Sequence, residues 1–167
     1  MKIFFIGFMC SGKTTLGRQL AEELRLPFFD LDDEVEKSNG ETIEEIFETR
    51  GEATFREMER DELKDLVANQ RKFVIATGGG TPCFFDNMKL MLQAGHVVYL
   101  DVPVAALLQR ISASKASRPL VFGLQADDLK KFTEDKVLER SQVYINAHHI
   151  LSGENISLRD AMNLPFL

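Results

Sequence analysis

Residues 7–14 read Gly-Phe-Met-Cys-Ser-Gly-Lys-Thr, and this short stretch leaves the chain few ways to fold. Before it, Lys2 to Ile6 is an almost continuous apolar run, the type a parallel sheet buries on both faces. After it, Leu16, Leu20 and Leu24 recur at i, i+4 and i+8, which predicts a helix from about Lys13 to Leu24. Strand, glycine turn and helix in that order bring backbone N–H groups and the positive end of a helix dipole to one point, and that point binds phosphate. In this context the spacing G-x-x-x-x-G-K-[ST] is a P-loop. Its lysine, Lys13, is placed to reach the β and γ phosphates, and the Thr14 hydroxyl to ligate Mg²⁺. Cys10, Ser11, Gly12, Lys13, Thr14 and Thr15 are therefore the expected ATP contacts.

Strands and helices alternate along the rest of the chain. Pro27 to Asp30 reads as a second strand ending in acids. Thr42 to Glu45 has the Thr-x-x-Glu form of a capping box and opens a helix; Gly51 interrupts it, and a longer helix runs from about Glu52 to Ala68. Phe73 to Thr77 is a third strand, stopped by Gly78-Gly79-Gly80. A helix over Asp86–Ala94, a strand over Val97–Val102 and a helix opened by Pro103 follow. Ser114 to Gln125 has no periodicity and contains Ser, Pro and Gly, which marks a loop or lid. A helix over Asp127–Ala147, a short strand near His149–Leu151 and a helix over Ser157–Asn163 complete the chain. Such alternation implies βαβ crossovers and a mainly parallel sheet between two helix layers, an α/β fold in one domain spanning 1–167.

Composition removes several classes of function. The net charge is −6, with 26 acids against 20 Lys and Arg, so general nucleic-acid binding is not expected. Two cysteines are too few for a disulfide scaffold, and no apolar run approaches the ~20 residues of a membrane span. The apolar start lacks a small-x-small cleavage site, which favours a buried first strand over a signal peptide. These features predict a cytoplasmic chain with small-molecule partners.

Beyond the P-loop, Asp30-Leu31-Asp32-Asp33 follows the second strand, where doubly wound sheets place ligands. If the segment stays extended, Asp30 and Asp32 share a face. One would hold Mg²⁺ through water and the other accept a proton from a substrate hydroxyl. The competing reading is a set of acids opening a helix, which suits Asp33 best and leaves it outside the site. Arg56 and Glu59 share a helix face, as do Arg140 and Tyr144; read alone, both pairs are ordinary surface features. Three consecutive glycines cost backbone entropy and are best explained by close approach to a ligand, which makes Gly78, Gly79 and Gly80 candidate substrate contacts.

In order, the P-loop, D-x-D, F-R-x-x-E, G-G-G, R-P-L and R-x-x-x-Y resemble the shikimate kinase family, from Ile3 to about Ile150. The resemblance implies a three-layer P-loop kinase with five parallel strands in order 2-3-1-4-5, a substrate-binding region over about 31–61 and a lid over about 112–125. It implies transfer of the γ-phosphoryl of ATP to the 3-hydroxyl of shikimate by a monomer using Mg²⁺. Thr14 and Asp30 match the metal site, and Asp32 the acid facing the accepting hydroxyl. Arg56, Gly79, Gly80 and Arg140 match the shikimate contacts, with both arginines on its carboxylate. Arg118 matches the lid arginine, and Arg110 lies near an arginine that stacks on adenine. Arginine is the chemically apt choice, since its planar fork matches a carboxylate where lysine does not.

Two departures stand out. Cys10 occupies a P-loop position that commonly holds glycine or alanine, and Thr14 replaces the commoner serine. Cys83 and the adjacent His148 and His149 are read as inert thiol and strand entry. The rival readings are a gluconate or small nucleotide kinase on the same fold, and a nucleotide-binding regulator without turnover. The first lacks the combined G-G-G and F-R-x-x-E, and the second does not account for intact Lys13, Asp32 and three matching arginines.

Overall fold

The computed structural model describes residues 1–114 and 123–167. Five parallel strands form one sheet in the order β2-β3-β1-β4-β5. They are β1 (Lys2–Ile6), β2 (Phe28–Asp30), β3 (Phe73–Ala76), β4 (His96–Asp101) and β5 (His149–Ser152). The order is the one that the resemblance implies. β1 lies at the centre, with Phe4 opposite Ile75 on one side and Val97 on the other.

The uninterrupted apolar run of β1 has a direct cause in the two helix layers. Side chains alternate along a strand, so Phe4 and Ile6 enter one core and Ile3 and Phe5 the other. The first core is closed by Leu63 and Leu66 of α3 (Ile43–Asn69), Met88 and Met91 of α4 (Asn87–Ala94), and Tyr144 of α6 (Ala126–Tyr144). The second is closed by Leu16 and Leu20 of α1 (Lys13–Leu24) and Ala161 of α7 (Leu158–Met162). A third cluster joins Phe8 to Leu107 and Ile111 of α5 (Val104–Ala113). Pro103 caps α5 rather than opening it. Among the described residues, no helix is long and apolar enough to cross a membrane.

Two local features position the site. Thr42 caps α3 in the expected capping box: its Oγ1 accepts from Glu45 N at 3.2 Å, and Glu45 Oε2 accepts from Thr42 N at 2.7 Å. At Gly51 (φ 80°, ψ 169°) the helix kinks, and Ile43 and Phe47 before the kink line the same cavity as Phe55 and Arg56 after it. Arg118 and most of the proposed lid lie outside the described residues.

Candidate active site

The carboxyl ends of β1, β2 and β3 open onto one crevice, as parallel α/β sheets require. Below β1, Gly7 (φ 143°) has no room for a side chain, since a β-carbon there would lie 2.8 Å from Leu100 O. Gly12 (φ 99°) starts α1 from a left-handed conformation. The Lys13 ammonium curls over the loop and donates to the carbonyls of Gly7 (2.9 Å) and Phe8 (2.8 Å). Cys10 also takes a left-handed φ, 60°, which a glycine would adopt without strain. Its β-carbon is accommodated at that cost.

A cavity of about 450 Å³ lies in front of the loop, lined by Cys10, Gly12, Lys13, Thr14, Thr15 and Arg110 on one side and by Asp30, Asp32, Gly78 and Gly79 on the other. Ser11 is not part of this lining, and its buried hydroxyl has no hydrogen-bond partner among the described residues. The tight turn from Phe8 to Ser11, closed by a 3.2 Å backbone bond, accompanies this placement. Arg110 reaches the cavity edge, where it donates to the carbonyls of Cys10 (3.1 Å) and Glu154.

Thr14 Oγ1 donates to Asp30 Oδ2 at 2.7 Å. A hydroxyl and a carboxylate held together beside a phosphate loop are the hard oxygen donors that Mg²⁺ takes when most of its remaining ligands are phosphate and water. Burial raises the Asp30 pKa, and the Thr14 hydrogen bond opposes the shift.

The extended D-x-D segment expected from the sequence is not what forms. Leu31–Asn39 is a helix, α2, and Asp30 is its N-cap, accepting from Asp32 N at 3.2 Å. The acids therefore begin a helix, where they complement its dipole, and strand alternation does not align them. Asp30 and Asp32 still line the same cavity, together with Lys13 and Thr14 of the P-loop. The Asp32 pKa is raised to about 7, chiefly by burial and then by the neighbouring carboxylates of Glu59 and Asp30, against the pull of Lys13 and Arg56.

Beyond Asp32 lies a second cavity of about 360 Å³, walled by Ile43, Phe47 and Phe55 of α3 and by Arg56, Glu59, Arg140 and the three glycines. The two arginines are 4% and 5% exposed, so neither pair is the surface feature that the residues alone suggest. Arg56 Nη1 donates to Glu59 Oε2 (2.9 Å), while Nε and Nη2 reach Glu52 Oε1 (3.3 and 3.1 Å). Its guanidinium lies 4.4 Å from the Phe84 ring centre. Arg140 is held over Phe8 at 5.6 Å, and on the next turn Tyr144 Oη donates to Gly79 O.

These contacts explain the triple glycine. A β-carbon at Gly78 would stand 2.5 Å from Glu59 Oε1 and 3.0 Å from Asp32 Oδ1. At Gly79 it would be 3.3 Å from Arg140 Nη1, and at Gly80 2.6 Å from Arg56 Nη2. Each glycine clears space for the charged groups packed against it. Glu59, fully buried and bonded to both Arg56 and Thr81, is the site residue that the sequence reading left out. Its signal was the i, i+3 spacing from Arg56. Cys83 lies close enough to feel both arginines, and burial pushes its thiol pKa up.

The chain is similar to known proteins along nearly its whole length. The family model for shikimate kinase matches residues 9–163. A shikimate kinase of Bacteroides fragilis is 42% identical over 159 residues, covering 95% of this chain and 88% of that protein. One from Aquifex aeolicus is 41% identical over 154 residues, covering 92% and 88%. The crystal structure of the Bacteroides thetaiotaomicron shikimate kinase superposes with a TM-score of 0.93 at 36% identity, covering 100% of this chain and 99% of that one. The Acinetobacter baumannii shikimate kinase in complex with shikimate superposes with a TM-score of 0.85 at 37% identity, covering 96% and 87%. A gluconokinase from Sinorhizobium meliloti shares the fold alone, with a TM-score of 0.58 at 16% identity.

Proposed function

The chain belongs to the shikimate kinase family, and from that premise we propose how its two adjoining cavities divide the transfer of a phosphoryl group from ATP to shikimate. The activity is phosphorylation of shikimate, a step of aromatic biosynthesis. The observation that carries the division is that Asp32, Gly78 and Gly79 line both cavities. A nucleotide in the first and an acceptor in the second would meet across Asp32.

On this reading the loop amides and Lys13 hold the phosphate oxygens. Thr14 and Asp30 hold Mg²⁺, which when bound supplies charge neutralisation to the β and γ phosphates. Arg56 and Arg140 grip the shikimate carboxylate, and the Phe47–Phe55 wall packs on its ring. That leaves the hydroxyl ring edge facing Asp32, which orients the 3-hydroxyl and takes its proton. A carboxylate with a pKa near 7 suits that task, because a general base works best when its pKa lies near the operating pH. Arg118 is assigned to the phosphates and Arg110 to the nucleotide edge. The chain acts as a single cytoplasmic domain and a monomer, with no nucleic-acid partner.

Asp32→Asn tests the core of this reading. It keeps the shape and removes the base, so kcat should fall by about 10²–10⁴-fold while ATP affinity holds. A loss under about tenfold would leave Asp32 a positioning group only. Offering gluconate beside shikimate decides the acceptor class, because only the carboxylate grip of Arg56 and Arg140 on a ring predicts turnover of shikimate alone.

A further inference from the structure

Thr81 is fully buried and opens the short 3-10 turn that follows the glycines. Its backbone is held on both sides: its N–H donates to Gly78 O at 3.2 Å, and its carbonyl accepts from Asn87 Nδ2 at 3.0 Å. Asn87 is itself buried at the start of α4. The hydroxyl is thus delivered from a fixed backbone, and it donates to Glu59 Oε1. The other Glu59 oxygen accepts from Arg56 Nη1. A chain of two hydrogen bonds therefore runs from the 3-10 turn to the guanidinium, and a third anchors the turn to α4.

Arg56 has two carboxylate neighbours, and they differ in kind. Glu59 is completely buried, whereas the Glu52 side chain is 44% exposed. A buried carboxylate with one oxygen unmatched is costly, and the terminal torsion of a glutamate is broad. Glu59 needs its second donor to keep one orientation, and Thr81 is that donor. With Glu59 fixed, Nη1 is fixed, and the guanidinium plane stays between Phe84 and Gly80. The Nε/Nη2 edge is then left for a partner that exchanges with solvent, the edge on which a planar carboxylate can bind with two parallel bonds.

We propose that Thr81 is a positioning residue for the acceptor, acting through Glu59 to orient Arg56; this rests on the acceptor site assigned above. Its hydroxyl touches neither substrate, and its effect is confined to the shikimate side of the reaction.

The test is steady-state kinetics on Thr81→Val and Thr81→Ser, alone and in an Arg56→Lys background. Thr81→Val keeps the volume and removes the donor. It should raise shikimate KM about tenfold, the scale of one hydrogen bond to a charged group. Losing a contact made equally in ground and transition states leaves kcat nearly unchanged, and ATP KM should hold within about twofold. Thr81→Ser should restore wild-type KM. In the Arg56→Lys background Thr81→Val should add little, since its route to the substrate is already cut. Should Thr81→Val not fold, Thr81→Ala makes the same deletion without setting a methyl against the Glu59 carboxylate. An unchanged shikimate KM, parallel rises in both KM values, a Thr81→Ser variant as impaired as Thr81→Val, or full additivity with Arg56→Lys would each overturn the proposal. A wild-type protein inactive on shikimate would instead sink the acceptor assignment, and this proposal with it.

Discussion

Gly80→Ala is the perturbation that reads the acceptor site most directly. Gly80 has φ −85° and ψ −23°, so alanine fits its backbone without strain. All the consequence comes from the added methyl, which would stand 2.6 Å from Arg56 Nη2 and 2.7 Å from Cζ and Nη1. Ordinary contact begins at 3.4 Å, so the guanidinium must retreat by roughly 0.8 Å, a displacement on the scale that misaligns a bound substrate. Phe84 stands 4.4 Å from Cζ, and the bond to Glu59 Oε2 starts at 2.9 Å. Retreat stretches that bond toward the limit at which it stops being one. A hydrogen bond to a charged group is worth about 1.5–3 kcal/mol, or about ten- to a hundredfold in affinity. Shikimate KM should rise by that factor. ATP KM should move less than about twofold, because Arg56 does not line the nucleotide cavity. The assay is ADP release with shikimate varied at saturating ATP, alongside a melting curve to show that the fold is intact. A folded variant with wild-type shikimate KM would refute the placement of Arg56 on the acceptor. A rise in ATP KM alone would move Arg56 to the nucleotide.

Two further expectations follow from other parts of the site. Lys13→Ala should weaken ATP binding at least about tenfold by calorimetry while leaving the melting temperature close to wild type; wild-type affinity would contradict the P-loop assignment. In the ligand-free protein the raised pKa of Asp32 stabilises the fold fully below the ordinary aspartate value of 3.8, and this stabilisation is lost as pH rises through about 7. Denaturant midpoints for wild type should therefore fall between pH 4 and pH 7 relative to Asp32→Asn, and parallel curves for the two proteins would show that Asp32 is not held protonated by burial.

The P-loop was legible because every residue in it answers a local demand: two glycines for left-handed turns, a lysine, a hydroxyl, then a helical repeat. The five-strand sheet was legible for a related reason, since the run Ile3 to Ile6 is apolar at every position and only a strand buried on both faces needs that. Of the proposed acceptor site, the glycines were legible from residues alone and the arginines were not. Arg56 with Glu59 has the same spacing as a surface pair, and what separates the two cases is burial, a property of the packed fold. The order of motifs supplied that information through resemblance. Glu59 stands in the F-R-x-x-E motif yet reads there only as a partner for Arg56, and Thr81, bonded to Glu59, carries no pattern at all. The D-x-D segment was misread for a local reason: Leu31 and Val35 bury one face of a helix that is only nine residues long, too short to stand out beside an acidic cluster.

On the proposed assignment the site joins two ways of holding an anion. On the proposed nucleotide side the chain offers backbone: glycine turns, the start of α1 and a lysine folded over its own loop carbonyls. A gluconokinase at 16% identity shares the fold on which these elements sit. On the acceptor side the chain uses buried arginines, and buried charge must be matched. Arg56 is matched by Glu59, Glu59 by Thr81, and the carbonyl of Thr81 by Asn87. This packing has no room for β-carbons, and Gly78 and Gly80 supply the space. The carboxylate of Glu59 in turn helps raise the pKa of Asp32, so the group that orders the acceptor arginine also tunes the group assigned to the proton. Changing the acceptor class on this fold therefore demands more than a new pocket wall. It requires replacing the arginine, its carboxylate and its hydroxyl donor together, because any one of them left behind would be a buried charge or a buried oxygen without a partner.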